Sequence, residues 1–287
     1  MLRRQDLSVR FFNFIGYSKV RLRLFRYRQK PVTRIIAFHD IQDDTSKNFR
    51  DKMVVLKQCT NVVNLKDYLA GRLSFEKLNI VITFDDGYKG WIKYAIPVLK
   101  EMGFPATFFV TSGFVGLTKK CESEFVEKNL FRTSKLRRIS GGLSQDDLRL
   151  IIREGFLLGG HTLSHCDLES ISEAEKVKHE IAEDKLKLEQ ISGKKVDYFA
   201  YPMGGYNNPR LDLVKSLEEL GFKAAVTTVP GFNIQGSNPY LLHRDLTDVS
   251  MPTPVFSARI AGNYDAIGFI KKLLHYDIRK LGGYGEN

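Results

Sequence analysis

Cysteine is scarce in this chain of 287 residues. Its three cysteines, Cys59, Cys121 and Cys166, are odd in number and do not have the close pairing of cysteine metal sites. An odd number of unpaired cysteines argues against a disulfide framework. We therefore expect free thiols.

Long apolar runs are also lacking. The apolar residues near the start are interrupted by Arg10, Asn13 and Lys19, and no small-residue cleavage site follows, so we expect no signal peptide. A membrane-spanning helix would need about twenty consecutive apolar residues, and no such run is present. The sequence therefore predicts a cytoplasmic protein, and a peripheral position at the inner face of the membrane stays open.

Acidic residues are almost absent from the first 34 residues, which contain only Asp6. The same segment has ten Lys or Arg and accounts for +9 of the formal net charge of +11. Because aromatic and aliphatic residues are interleaved with these cations, residues 1–30 suit a helical extension with a basic face, an anionic membrane surface or nucleic acid. No nucleic-acid motif accompanies them, so we expect no nucleic-acid partner.

The rest of the chain alternates short apolar runs with amphipathic stretches, which is typical of a parallel sheet built from βα units. No repeat or linker interrupts it, so we predict one α/β domain over residues 34–287, a βα barrel, after an extension over residues 1–33. The predicted strands are Arg34–Phe38, Val62–Leu65, Asn79–Phe84, Ala106–Thr111, Phe156–Gly160, Tyr198–Tyr201, Ala224–Thr228 and one near Leu241. The predicted helices are Lys47–Gln58, Trp91–Met102, Ser144–Glu154, Ser172–Gln190 and Pro209–Leu220, and residues 116–142 are interpreted as an insertion near the site.

Two adjacent carboxylates follow the clearest predicted strand, in the string TFDDGY. Asp85 and Asp86 would repel each other there, and burying both would be costly unless a cation or hydrogen-bond donors compensate them. A helix N-cap and a solvated turn would account for one aspartate without any function. Two in succession favour a functional site.

Two histidines follow another predicted strand, in the string HTLSH. His161 and His165 are four residues apart, and on a helical turn this spacing places both imidazoles on one face, where they can reach one metal ion. Core or surface histidines are the more frequent explanation of such a spacing. The position directly after a strand end strengthens the metal interpretation.

The C-terminal ends of all strands in a parallel βα barrel meet at one face. The aspartate pair and the histidine pair would therefore meet there. His39 in AFHDI and Pro202 in FAYPMGG also follow predicted strands. Because residues after four separate predicted strands would meet at one face, we predict an active site there.

The strings resemble the motifs of the polysaccharide deacetylase family, the NodB homology domain of carbohydrate esterase family 4. TFDDGY resembles its first motif, HTLSH its second, and AYPMGG is similar to its third, an Arg-x-Pro-x-Gly loop. The resemblance covers roughly residues 34–248. It implies a deformed (β/α)7 barrel and a hydrolase that removes N-acetyl groups from amino sugars of a polysaccharide or glycan precursor.

The resemblance also implies roles for individual residues. Asp86, His161 and His165 would bind a divalent metal ion, with zinc favoured and cobalt, nickel or iron also compatible with this ligand set. Asp85 would be the general base that activates water. The third-motif residues assigned to substrate binding are Tyr201, Pro202 and Met203.

Two catalytic assignments need more than the three motifs. Where the third motif often has arginine, this chain has Ala200, and Arg244 in LLHRD is the candidate replacement that partners the catalytic aspartate. His39 resembles the histidine that protonates the leaving amine in the branch acting on poly-N-acetylglucosamine. His243, in a string that resembles the family's Leu-x-His motif, competes for that role. The resemblance thus points to exopolysaccharide processing.

Two other functions fit part of the pattern. The same two-His, one-carboxylate set suits non-haem iron oxygenases, but those enzymes are mostly antiparallel β folds, whereas this chain alternates β and α. A non-catalytic glycan-binding protein on a deacetylase fold is the stronger rival. Such a protein would be expected to have lost Asp85 or a metal ligand, and none is missing.

Overall fold

A computed structural model of the protein describes residues 30–130, 139–204, 210–263 and 265. Residues 1–29, which make up most of the predicted extension, lie outside the described residues, as does Pro209 at the predicted start of a helix. Among the helices that are described, none has both the length and the apolar character needed to cross a bilayer.

Nine strands form one sheet at the centre of the described fold. They are β1 (Val32–Phe38), β2 (Thr60–Val63), β3 (Leu78–Phe84), β4 (Thr107–Val110), β5 (Leu157–Gly160), β6 (Tyr198–Ala200), β7 (Ala224–Val226), β8 (Asn233–Ile234) and β9 (Arg244–Leu246). The order β7-β6-β5-β4-β3-β1 is parallel throughout, β2 pairs with the first half of β3, and β9 pairs with β1. β8 pairs antiparallel with β1.

The sheet curls back on itself just before β9. The N–H of Leu242 donates to the carbonyl of Ala225 in β7 at 3.1 Å, and its carbonyl accepts from the N–H of Thr227 at 2.9 Å. Because β9 itself pairs with β1, this segment connects the two ends of the parallel order. The α/β class and the deformed (β/α)7 barrel are confirmed.

Helices surround the barrel. Within the described ranges they are α1 (Asp43–Cys59), α2 (Leu65–Leu69), α3 (Ile96–Met102), α4 (Lys119–Phe125), α5 (Gln145–Arg153), α6 (Ala174–Ser192), α7 (Leu211–Glu219) and α8 (Thr253–Ile260). A π-helical stretch, Trp91–Ala95, precedes α3, and another, Val126–Leu130, follows α4. The predicted capping sequence starts α5, because the Ser144 hydroxyl accepts from the Asp147 N–H and the Asp147 carboxylate accepts from the Ser144 N–H.

Successive residues of a strand face two different apolar layers, because side chains alternate across a sheet. Ile35 in β1 belongs to the layer inside the barrel, and its neighbour Ile36 belongs to the layer between sheet and helices. The inner layer also contains Leu65 and Tyr68 of α2, which covers the end of the barrel where the strands begin. The opposite end, where the strands finish, is left open for a site.

Two local expectations from the sequence are wrong. The string from His161 to His165 forms a loop and not a helical turn, because side chains and carbonyls of α6 capture the N–H groups of this segment. The last strand is β9, whereas the chain near Leu241 forms a 3-10 turn that begins at Pro239. Proline fixes a backbone angle suited to such a turn and has no N–H to donate to a sheet.

Candidate active site

A cleft of about 870 Å³ opens at the end of the barrel where the strands finish. His39 follows β1, the two aspartates follow β3, and His161 follows β5. Because these strands are parallel, the side chains of the residues that follow them meet at the bottom of the cleft. The predicted site residues that line the cleft are His39, Asp85, Asp86, His161, His165, Tyr201 and Met203. Leu130 and Ile139, from the predicted insertion, form part of its wall.

Asp86, His161 and His165 form a compact group of possible metal ligands. Their ligand atoms lie within 4.8 Å of one another, and all three residues are buried. The Nε2 atoms of His161 and His165 lie 3.5 Å and 3.2 Å from Oδ1 of Asp86. Carboxylate oxygen and imidazole nitrogen in this number suit a divalent ion such as zinc.

The opposite nitrogen of each imidazole contacts a backbone carbonyl. Nδ1 of His161 lies 2.7 Å from the carbonyl oxygen of Ala200, and Nδ1 of His165 lies 3.0 Å from that of Asn129. A carbonyl can only accept, so each Nδ1 carries the hydrogen in these contacts. In a neutral ring Nε2 then has a lone pair for a metal ion, whereas in a protonated ring Nε2 donates to Asp86. Metal-ligating histidines are commonly oriented in this way.

The charge of the group also fits a cation. Burial raises the pKa of the Asp86 carboxyl, but hydrogen bonds from His161 and His165 hold the pKa well below its usual value. The pKa of His165 is raised in turn, because its contacts with Asp86 outweigh the lowering by burial. An ionised carboxylate with two imidazoles in a buried site matches the donor set of a bound divalent metal.

Backbone strain is concentrated at this group. Four non-glycine residues of the described chain have left-handed φ angles: Asp86 (87°), Thr162 (62°), His165 (57°) and Met203 (57°). Non-glycine residues seldom adopt this region, and such strain clusters at functional sites. Each of the three motif strings contains at least one of these residues.

Side chains of helix α6 fix the loop from His161 to His165. The buried Asp184 carboxylate accepts the backbone N–H of His161 at 2.8 Å and that of Ser112, after β4, at 2.8 Å. The Glu180 carboxylate accepts the N–H and the hydroxyl of Ser164, both at 2.9 Å. Two turns of one helix therefore fix the backbone that carries both histidines.

Asp184 is a site residue that the sequence reasoning missed. Burial raises its pKa to about 7. The signal was present, because Asp184 occupies a position in the apolar stripe of α6, between the buried residues Ile181 and Leu188. A carboxylate at such a position needs a buried partner.

Asp85 is buried beside Arg244. Nη1 of Arg244 donates to Oδ1 of Asp85 at 2.6 Å and to the hydroxyl of Thr83 at 3.2 Å, and its Nε donates to the carbonyl of Thr227 at 3.0 Å. Burial raises the pKa of the Asp85 carboxyl, but the Arg244 guanidinium, together with His161 and His39, lowers it, so the pKa lies below its usual value. Arg244 reaches this position because it pairs with Ile35, whose side chain faces the barrel interior.

The two candidate acids lie in different places. His39 is exposed at the cleft, and its backbone carbonyl accepts the indole N–H of Trp91 at 2.8 Å. His243 is exposed outside the cleft lining, and its N–H and carbonyl are bonded to the side chain of Asn233 at 2.9 Å and 2.8 Å. The structure brings His39 to the cleft and leaves His243 outside it.

The third-motif residues divide similarly. Tyr201 and Met203 line the cleft, whereas Pro202 is buried beside it and is not part of the lining. The Tyr201 hydroxyl donates to the carbonyl of Tyr240 at 3.1 Å, which fixes the ring. Met203 is 39% exposed, so its thioether side chain is accessible from the cleft.

Comparison with known proteins identifies related sequences and folds. Residues 73–225, slightly more than half of the chain, match the family model described as polysaccharide deacetylase. A relative in Bacillus subtilis strain 168, YxkH, whose naming as a polysaccharide deacetylase is itself provisional, is 26% identical over 181 residues, or 63% of this chain and 56% of that protein. The chain spans about half the length of the curated relatives it matches.

Two solved structures share the fold. IcaB from Ammonifex degensii matches with a TM-score of 0.66 and 23% identity, over 81% of this chain and 98% of that one. The Streptococcus pyogenes deacetylase PplD, in complex with acetate, matches with a TM-score of 0.63 and 18% identity, over 81% and 99%. At these identities, the likeness establishes the architecture of the barrel.

Proposed function

The chain belongs to the polysaccharide deacetylase family, and on that premise we propose that it is a metal-dependent hydrolase that removes N-acetyl groups from amino sugars. The observation that carries the proposal is the Arg244–Asp85 contact of 2.6 Å beside the group of Asp86, His161 and His165. This arrangement combines an ionised carboxylate for proton transfer with a set of metal ligands in one cleft.

Asp86, His161 and His165 would hold the metal, for which zinc is the proposed ion. A divalent ion bound there would polarise the acetyl carbonyl and lower the pKa of a water molecule. The buried backbone contacts of the two histidines would keep both Nε2 atoms directed at one point. The chain itself therefore supplies a site whose ligands are oriented before binding.

Asp85 is the proposed general base. It would accept a proton from the attacking water, which adds to the acetyl carbon. Arg244 keeps the carboxylate ionised and oriented while it is buried. General base catalysis of this kind contributes roughly 10²- to 10⁴-fold to a rate.

His39 is the proposed general acid. When the bond between the acetyl carbon and the sugar nitrogen breaks, the nitrogen needs a proton to leave as an amine, and His39 would donate it. The products are acetate and a glycan with a free amino group. His39 is preferred to His243 because it lines the cleft.

The proposed substrate is an acetylated amino-sugar glycan, with exopolysaccharide favoured by the family branch that the His39 segment resembles. Tyr201 and Met203 would contact the sugar beside the reacting group, and the buried Pro202 would shape the loop between them. A non-catalytic glycan-binding role is less favoured, because the proposed base and all three ligands are retained and line one cleft.

The test is acetate release from a panel of acetylated amino-sugar oligosaccharides, with chelator and with metal restored. We expect acetate release that chelator abolishes and added zinc restores. Binding of the same oligosaccharides without any acetate release, at every metal tried, would favour the glycan-binding alternative.

A further inference from the structure

Lysines are concentrated at the end of the barrel opposite the cleft. Lys77 directly precedes β3, and Lys194 and Lys195 lie shortly before β6. Parallel strands of a barrel all begin at one end, so these residues share that end. Lys66 of α2 lines the same depression of about 590 Å³ as Lys194 and Lys195.

Most of this positive charge is not neutralised. The set Lys30, Lys66, Lys77, Lys194 and Lys195 is exposed, and no ion pair between described residues involves any of its members. These five lysines are called the basic end. Glu76, beside Lys77, is an exposed acid at this end that is in no ion pair between described residues. Two other acids there are neutralised, because Asp67 pairs with Arg72 and Asp197 pairs with Lys223.

Apolar side chains are exposed among these lysines. Phe75 is 58% exposed, Ile234 is 46% exposed and Leu69 is 37% exposed. They lie together at this end because Ile234 pairs with Val32 at the start of β1, and Tyr68 of α2 donates to the carbonyl of Ile234 at 3.1 Å. Exposed apolar residues among lysines suit the interface of an anionic bilayer, where the apolar groups enter the headgroup region and the ammonium groups contact phosphates.

The segment that precedes the described fold joins it at this same end, because Lys30 lies two residues before β1. Residues 1–29 contain eight Lys or Arg and one acid, with six aromatic residues among them. The cleft rim at the other end exposes carboxylates, Asp44 and Asp248. An anionic surface would therefore favour the basic end over the carboxylates of the cleft rim.

We propose that the basic end binds an anionic lipid bilayer and turns the cleft away from it. The cleft then faces the aqueous phase, where a long glycan can enter without meeting the membrane. This docking is independent of the catalytic assignment, because none of the five lysines of the basic end lines the cleft.

Vesicle sedimentation with the full chain tests the proposal. Wild type should bind phosphatidylcholine vesicles that contain phosphatidylglycerol and should bind pure phosphatidylcholine weakly. Lys194→Glu with Lys195→Glu should weaken binding at least roughly 25-fold, since a surface lysine near an anionic bilayer is worth about fivefold. Lys119→Glu with Lys120→Glu on α4 changes total charge equally at the cleft end, and this control should change binding less than about twofold.

Lys66→Glu, on a different element, should weaken binding about fivefold or more and guards against a local folding defect near Lys194. Equal weakening by the two double variants would overturn the proposal, because total charge and not the basic end would then govern binding. Unchanged binding of Lys194→Glu with Lys195→Glu would also overturn it. So would tighter binding to duplex DNA than to the anionic vesicles.

Discussion

Among single residues, Arg244 is the proposed partner of Asp85, the proposed base. Asp85 is buried, and without the guanidinium the strongest of the groups that oppose the effect of burial on its pKa would be lost. A general base must be ionised, so the rate falls as pH drops through the pKa of Asp85. Loss of Arg244 raises that pKa, and the acidic limb of the rate profile must then move to higher pH.

The variant Arg244→Met tests this relation. We expect the acidic limb of kcat/KM to shift upward in pH, together with a stability loss of about 3–5 kcal/mol from the unpaired buried carboxylate. Arg244→Lys, which keeps the charge, should shift the limb less. An acidic limb at the wild-type position in Arg244→Met would show that another group keeps Asp85 ionised.

The assignment of His39 as the general acid is tested by comparing His39→Ala with His243→Ala. An amide with a poor leaving group needs protonation of its nitrogen, whereas an activated ester needs little. We expect His39→Ala to lose far more rate on the amide than on the ester and His243→Ala to lose little on either. Equal losses on both substrates would assign His39 to binding or structure, and a selective amide loss in His243→Ala would transfer the role.

At the scale of elements, α6 holds the backbone of the loop that carries His161 and His165. This contact cannot be predicted from the local sequence of the loop. Spacing alone suggests a helical turn for the string from His161 to His165. The backbone of the loop is instead held by Asp184 and Glu180, which lie 23 and 16 residues after His161 and Ser164, the residues whose N–H groups they accept. A tertiary contact of this kind overrides local spacing, although the buried acid in the stripe of α6 is visible in the sequence.

Asp184→Asn should lower metal affinity by roughly 10- to 100-fold, the range for residues that orient metal ligands. Its two carboxylate oxygens each accept one backbone N–H, and an asparagine would place an amide NH₂ group against one of these donors. Competition with a chelating dye measures the affinity. The control is Glu183→Gln, an exposed acid next to it on the same helix, and an equal effect of the two variants would contradict a positioning role for Asp184.

The long buried strands are more predictable from the sequence than the last strand. The apolar runs before Asp85 and His161 are long enough to identify buried strands, so the floor of the cleft followed from the sequence. β9 has only three residues, and two of them are the charged Arg244 and Asp245, so the sequence shows no apolar run at this strand. Its position follows from closure of the barrel, where Arg244 faces inward and Asp245 contacts Arg34 at 2.5 Å.

At the scale of the whole molecule, the barrel separates two kinds of surface. The end where the strands finish brings together side chains from four strings that are far apart in the sequence. The end where the strands begin carries the five lysines of the basic end. Residue types and motif spacing predict the α/β fold class and seven of the residues that line the cleft. The charge at the opposite end could not be recognised beforehand, because it arises from short segments that precede different strands.

The central claim is that Asp85 is the base of a metal-dependent deacetylase. The most direct measurement is acetate release by Asp85→Asn, with the metal content of the same sample determined in parallel. We expect kcat to fall by roughly 10²-fold or more while metal occupancy stays at the wild-type level, because Asp86, His161 and His165 are unchanged. Near-normal turnover at full metal occupancy would contradict it.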